Sequence, residues 1–174
     1  MLILVLGGAR SGKSAVAERL AGRLPQPVCY VATITCDGTD KDLAARIGAH
    51  RARRPASWQT VEGGGDLTTQ VAGMSGTVLL DSLGPWVARN DMVPEQIDAL
   101  VSALVDRTGD TVVVSEEVGL SVHPSSLAGR AFRDALGAVN ATVAAVADHT
   151  LFVVAGRVLT TSALDVDALV PGSP

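Results

Sequence analysis

Lysine is nearly missing from this chain: Lys13 and Lys41 are the only two among 174 residues. Aromatic residues make up 3% against 47% hydrophobic overall, so the core has to be built from Val, Leu and Ala. No apolar run is long enough to cross a bilayer. The N-terminal apolar stretch has no basic region before it, unlike a secretory signal, and a cytoplasmic location is expected. The two cysteines, Cys29 and Cys36, have no metal-ligand spacing and are expected to be free thiols. The net charge is −4 with no basic tail, so nucleic acid is not an expected partner. A chain of this length reads as one domain, residues 1–174, with a loose tail from about residue 165.

What is present is concentrated at the start. Leu2 to Leu6 is a short apolar run that reads as a buried strand. Gly7, Gly8, Ala9, Arg10, Ser11, Gly12, Lys13 and Ser14 follow, matching G-x-x-x-x-G-K-[ST]. Ala15 to Leu24 then reads as a helix with an apolar stripe, so the motif has a strand before it and a helix after it. Glycines let backbone N–H groups turn inward around a phosphate, and the helix aims its positive end at the same anion. Lys13 supplies a point charge for the β- and γ-phosphates of a nucleoside triphosphate. The Ser14 hydroxyl is placed to ligate Mg²⁺. A glycine turn that merely precedes a helix is the bland alternative.

Further strands are expected at Val28–Ile34, Ser57–Glu62, Thr77–Asp81, Thr111–Ser115, Leu151–Ala155 and, at an edge, Arg157–Thr160. Helices are expected at Lys41 to about Arg53, Asp66 to about Ala72, Pro94–Asp106 and Ser125–Asp148. The last carries the stripe Ala128, Ala131, Phe132, Ala135, Val139, Val143 and Val146. Cys36 to Asp40 reads as a polar loop and Gly63-Gly64-Gly65 as a flexible joint. This alternation predicts an α/β fold, a mostly parallel sheet with helices on both faces. Ligands in such sheets sit at the strands' carboxyl ends, which puts the loops at 7–14, 33–40, 81–90 and 115–124 on one rim.

Several residues along the chain have chemistry to offer. Asp81 ends an apolar strand as a Walker-B carboxylate does and could hold Mg²⁺ opposite Ser14; the alternative is an ordinary turn-capping Asp. His50 lies in an arginine-rich segment. It is either a half-buried packing residue sharing a face with Leu43 and Ile47, or a nucleophile, since a neutral imidazole attacks well near pH 7. The arginines around it could steady phosphate oxygens or simply form a solvated face. Glu62 could accept from the paired N–H donors of a guanine edge, although surface Glu is commoner. Glu116 and Glu117 form a strand-end pair, one of which could act as a base or as support to a metal. His149 is expected at a helix C-terminus, interacting with its dipole.

Taken together, several segments resemble the bifunctional adenosylcobinamide kinase/adenosylcobinamide-phosphate guanylyltransferase family of cobalamin biosynthesis. They are Gly7–Ser14, Tyr30-Val-Ala-Thr33, Ala45-Arg-Ile47 with His50-Arg51 and Arg54-Pro55, Trp58–Glu62, Leu79-Leu-Asp-Ser82, Glu117-Val-Gly119, and Gly129–Asp134 with Gly137 and Asn140. The resemblance spans Leu2 to about Val158. It implies a RecA-like P-loop fold and a homotrimer. It also implies two reactions: phosphorylation of a corrinoid, adenosylcobinamide, from ATP or GTP, then transfer of GMP from GTP through a GMP-histidine. It puts that histidine on His50 and nucleotide contacts on Ala32, Thr33, Ile34, Arg51, Ala52, Arg53, Arg54, Glu62 and Asp81. Three stretches depart from the family pattern. Glu116 stands where Asn is frequent, Ser82-Leu-Gly-Pro85 replaces Cys-Leu-Thr after Asp81, and Ser121-Val-His-Pro124 replaces a more apolar run.

Overall fold

The computed structural model describes residues 1–34, 40–63, 66–90 and 94–163. The expected polar loop over Cys36–Thr39, the joint at Gly64-Gly65 and the tail lie outside them. One seven-stranded sheet organises the rest, in the order β3-β2-β4-β5-β1-β6-β7. The strands are β1 (Leu2–Gly7), β2 (Val28–Ala32), β3 (Gln59–Glu62), β4 (Thr77–Asp81), β5 (Thr111–Glu116), β6 (His149–Val154) and β7 (Arg157–Thr161). Every pairing is parallel except β6 with β7.

The central strands are apolar throughout because both of their faces are covered. One face carries α1 (Lys13–Ala21), whose Ala17 and Ala21 pack on Ile3, Val5, Leu79, Val112 and Val114. The small alanines let the helix sit close to the sheet. The other face is covered by α3 (Leu67–Ala72), α4 (Leu83–Ala88), α5 (Pro94–Asp106) and α6 (Leu127–Val146), which bury Leu67, Leu83, Trp86, Leu100, Leu136 and Val143 against Leu4, Leu80 and Val113. The remaining helix, α2 (Lys41–Arg53), is mostly solvent-exposed. Among the described residues no helix is long and apolar enough to cross a membrane.

Several expectations need correction. The first helix runs from Lys13 to Ala21 rather than Ala15 to Leu24, because Gly12 starts it and tight turns follow at Arg23 and Leu24. The strand at Val28 stops at Ala32, and the strand expected from Ser57 begins at Gln59. On α6 the buried stripe is Leu136, Val139, Asn140 and Val143, while Ala128, Ala131 and Val146 face solvent. Ser126 caps that helix, its hydroxyl accepting from the Gly129 N–H at 3.1 Å. His149 opens β6 instead of closing a helix. The short α4, with Gly84 and Pro85 inside it, has no periodicity from which to predict it.

Candidate functional site

The carboxyl ends of β1, β2, β4 and β5 meet at one rim, and the first feature there is the loop between β1 and α1. Gly12 has φ 93°, a left-handed conformation that a side chain would strain. A Cβ on Gly7 would come within 2.7 Å of the Val153 carbonyl, so the loop lies tight against β6. The Gly156 N–H donates to the Ser11 carbonyl at 2.7 Å, clamping the loop from the β6–β7 turn. Lys13 Nζ rests 3.4 Å from the Gly8 carbonyl and 3.6 Å from Glu116 Oε1.

Asp81 sits at the end of β4, facing the start of α1. Its Oδ1 accepts from the Ser14 hydroxyl at 3.4 Å and its Oδ2 from the Tyr30 hydroxyl at 2.8 Å. Burial pushes this carboxyl up, against the opposing pull of Tyr30, the His50 ring and Ser14. The same burial, with Asp81 beside it, pushes the Tyr30 phenol far above its ordinary value. Tyr30 therefore stays a neutral donor. A hydroxyl and a carboxylate at a phosphate loop are hard oxygen donors of the kind Mg²⁺ takes, and a desolvated carboxylate gains from a cation.

His50 reaches this centre from the last turn of α2. Its Nδ1 is 4.0 Å from Asp81 Oδ2 and 3.6 Å from Glu18 Oε1. Arg53 binds Glu18 twice, with Nε and one terminal nitrogen each at 3.2 Å from an oxygen. The same terminal nitrogen is 3.2 Å from His50 Nδ1. The Arg54 guanidinium lies over the Tyr30 ring, 3.6 Å from its centroid, and donates to the His50 carbonyl and the Thr60 hydroxyl at 3.1 Å each. Burial pushes the Glu18 carboxyl up, but hydrogen bonds and charges from His50 and Arg53 outweigh it and hold the group below the ordinary carboxylate range.

These side chains line two adjoining clefts. One is bounded by Lys13, Ser14, Ala32, Ile34, His50 and Asp81. The other runs over the loop from Arg10 to Ala15 and is closed by His50 and Arg53. His50 belongs to both. Thr33 is buried beside the first cleft, where its hydroxyl accepts from the Ser82 N–H at 2.9 Å. Arg51 and Ala52 are exposed on α2, and Glu62 is exposed at the end of β3, outside both clefts.

Sequence reasoning passed over Glu18, Tyr30 as a site residue, and Arg89. The Arg89 guanidinium donates to the carbonyls of Thr33 at 2.6 Å and Gly63 at 3.1 Å, tying the ends of β2 and β3 to the turn after α4. The Ser82–Pro85 stretch and Glu116 were read as two separate departures, whereas Ser82, Gly84 and Glu116 form one contact. The Ser82 hydroxyl and the Gly84 N–H donate to the two Glu116 oxygens at 2.9 and 3.2 Å. A Cβ on Gly84 would collide with Glu116 Oε2, so this glutamate and this glycine go together.

Fold and site together define a P-loop nucleotide-binding α/β protein. A chain of the type III secretion ATPase of pathogenic bacteria has the same fold, with a TM-score of 0.55 at 12% identity, over 87% of this chain and 50% of that one. The family is narrower. The model of the cobinamide kinase / cobinamide phosphate guanyltransferase family, CobU, matches residues 3–161, and the chain belongs to that family. It is 36% identical to the bifunctional adenosylcobalamin biosynthesis protein CobU of Salmonella typhimurium, over 90% of this chain and 97% of that protein. It is also 36% identical to the bifunctional adenosylcobalamin biosynthesis protein CobP of Pseudomonas aeruginosa, over 88% and 92%.

Proposed function

We propose that this protein phosphorylates the terminal hydroxyl of adenosylcobinamide and then transfers GMP from GTP to the resulting phosphate, by way of a GMP–His50 phosphoramidate. Family membership supports the pair of reactions. The observation that carries the covalent route is the position of His50: it borders both clefts on the phosphate loop, with its Nδ1 4.0 Å from Asp81 Oδ2. A packing histidine has no reason to line a phosphate-binding groove among arginines.

In the transfer, the loop amides and Lys13 hold the β- and γ-phosphates. An imidazole nitrogen of His50 attacks the α-phosphorus; the bond to the bridging oxygen breaks and pyrophosphate leaves with its electron pair. An oxygen of the corrinoid phosphate then attacks the same phosphorus, and the nitrogen recovers its lone pair. Dividing the transfer in this way avoids a direct encounter of two polyanions. Arg53 and Arg54 are within reach of the charge that spreads over the α-phosphate oxygens. Ser14 and Asp81 would hold Mg²⁺, which when bound neutralises phosphate charge; nucleotide and water would complete its shell. Arg51, Ala52, Thr33, Ile34 and Glu62 are assigned to the nucleoside, with Glu62 on the guanine edge. The same reading includes a cytoplasmic location and a homotrimer, for which the exposed β7 side chains Val158 and Leu159 offer apolar surface.

A plain small-molecule kinase is the competing reading, favoured by the departures at Ser82–Pro85 and Glu116. Mass spectrometry of mixtures with adenosylcobinamide, ATP, GTP and Mg²⁺ separates the two. Adenosyl-GDP-cobinamide together with pyrophosphate is the expected product. Accumulation of the phosphate alone, unchanged in His50→Ala, would leave only the kinase.

A further inference from the structure

Resting on the reading of His50 as nucleophile, the geometry points to Glu18 as a positioning residue: we propose that it holds the proton of His50 on Nδ1 and so makes Nε2 the nitrogen that attacks. Glu18 sits on the exposed side of α1, one turn beyond Ser14, yet only 11% of its side chain is accessible because Arg53 and His50 lie over it. A carboxylate has no proton to give at neutral pH and can only accept. Of the two ring nitrogens, Nδ1 is the one facing it, at 3.6 Å. Asp81, the other carboxylate near the ring, is also closest to Nδ1, at 4.0 Å. A carboxylate on the Nδ1 side favours the proton there and leaves the lone pair on Nε2, and Glu18 is the one that the Mg²⁺ site does not use.

Arg53 opposes this arrangement. A guanidinium can only donate, so its contact with Nδ1 at 3.2 Å puts the lone pair on Nδ1 and the proton on Nε2. Arg53 therefore competes with His50 for Glu18 and selects the tautomer that cannot attack through Nε2. Arg53 also closes the cleft over Arg10–Ala15. A triphosphate bound to the loop draws that guanidinium toward its oxygens. Glu18 is then left with one donor, the Nδ1–H of His50. When Nε2 bonds to the α-phosphorus, the ring becomes a cation that keeps its Nδ1 proton, and the Glu18 carboxylate offsets that charge. The second transfer breaks the N–P bond, returns the pair to Nε2 and restores the neutral ring. Glu18 would thus tie nucleotide arrival to activation of the nucleophile.

The test is the chemistry of the adduct. Protein labelled with GTP and Mg²⁺ is denatured at alkaline pH, digested, and the histidyl peptide examined by ¹H–¹⁵N correlation to identify the substituted nitrogen. Substitution at Nε2 is expected; substitution at Nδ1 overturns the proposal without a variant being needed. Glu18→Gln, which keeps the shape and loses the charge, is expected to slow label formation on the order of 10–100-fold, with GTP binding near the wild-type level. Label formation by Glu18→Gln at the wild-type rate also overturns it. Absence of label in the wild type is a separate outcome, and would remove the covalent reading of His50 itself.

Discussion

The Gly7–Ser14 loop and the His50–Arg54 segment face the same cleft but are held in place by different physics. The loop hangs from β1, which is paired on both sides within the sheet, and is clamped by backbone bonds at Gly7 and Ser11. Its shape is a property of the main chain. The His50 segment belongs to an exposed helix and is held by Arg53 on Glu18 and by Arg54 on Tyr30 and Thr60. The shape of the loop is therefore built into the core, whereas placement of His50, the nucleophile of the proposed transfer, depends on a few charged and polar side chains. Interactions of that kind weaken with salt and with pH, and backbone ones much less.

The largest way to break the comparison is at the loop itself. Lys13→Ala removes the one lysine near the phosphates and is expected to lower both reactions by about 10²–10³-fold in kcat. Circular dichroism should show the fold intact, since Lys13 packs no core.

Asp81→Asn comes next, and its two effects have opposite signs. Burial raises the Asp81 carboxyl in the folded state, so folding favours its protonated form. The charged carboxylate accordingly costs stability as pH rises through the folded value. Replacing it with a neutral amide should raise Tm at neutral pH, by about 2–4 °C for each kcal/mol relieved, while abolishing Mg²⁺-dependent turnover. Thermal scans beside turnover assays check both.

A milder change sharpens the difference between the two halves. Arg54→Ala removes the stacking on Tyr30 and the bond to the His50 carbonyl. A loss of about 0.5–2 kcal/mol is expected. It should appear as slower label formation with GTP affinity nearly unchanged, measured by calorimetry and gel labelling.

The smallest effect expected is on acid stability. Glu18 is held below the ordinary carboxylate range in the folded protein, so its contribution is complete above the unfolded value and fades as pH falls through the lower folded one. Urea denaturation from about pH 6 to about pH 3 should show wild type and Glu18→Gln converging at the acid end.

The two halves also differed in how well the sequence revealed them. The loop, its strand and the Asp81 strand end were legible because apolar runs and glycine spacing are local signals. Lys41–Arg53, Thr77–Asp81 and Pro94–Asp106 have the expected boundaries. Glu18 was not legible: on α1 it is one more charged residue on the face away from the sheet, and its partners come from α2, 32 residues or more along the chain. Tyr30 was hidden for a similar reason, sitting inside an apolar strand that explains it fully as core until Asp81 and Arg54 are placed around it. The Ser82, Gly84 and Glu116 contact needed β4 and β5 side by side before two of the departures became one. His50 was visible as a candidate, and its proximity to Asp81 was not.

The most direct test of this account is labelling with α-³²P-GTP and Mg²⁺, wild type against His50→Ala, on a denaturing gel, with GTP binding measured on both. The account predicts an acid-labile, alkali-stable label in the wild type alone, and GTP affinity within about threefold between the two, because the loop and not the helix binds the phosphates. A label of equal strength in His50→Ala, or none in a wild type that binds GTP, would contradict it.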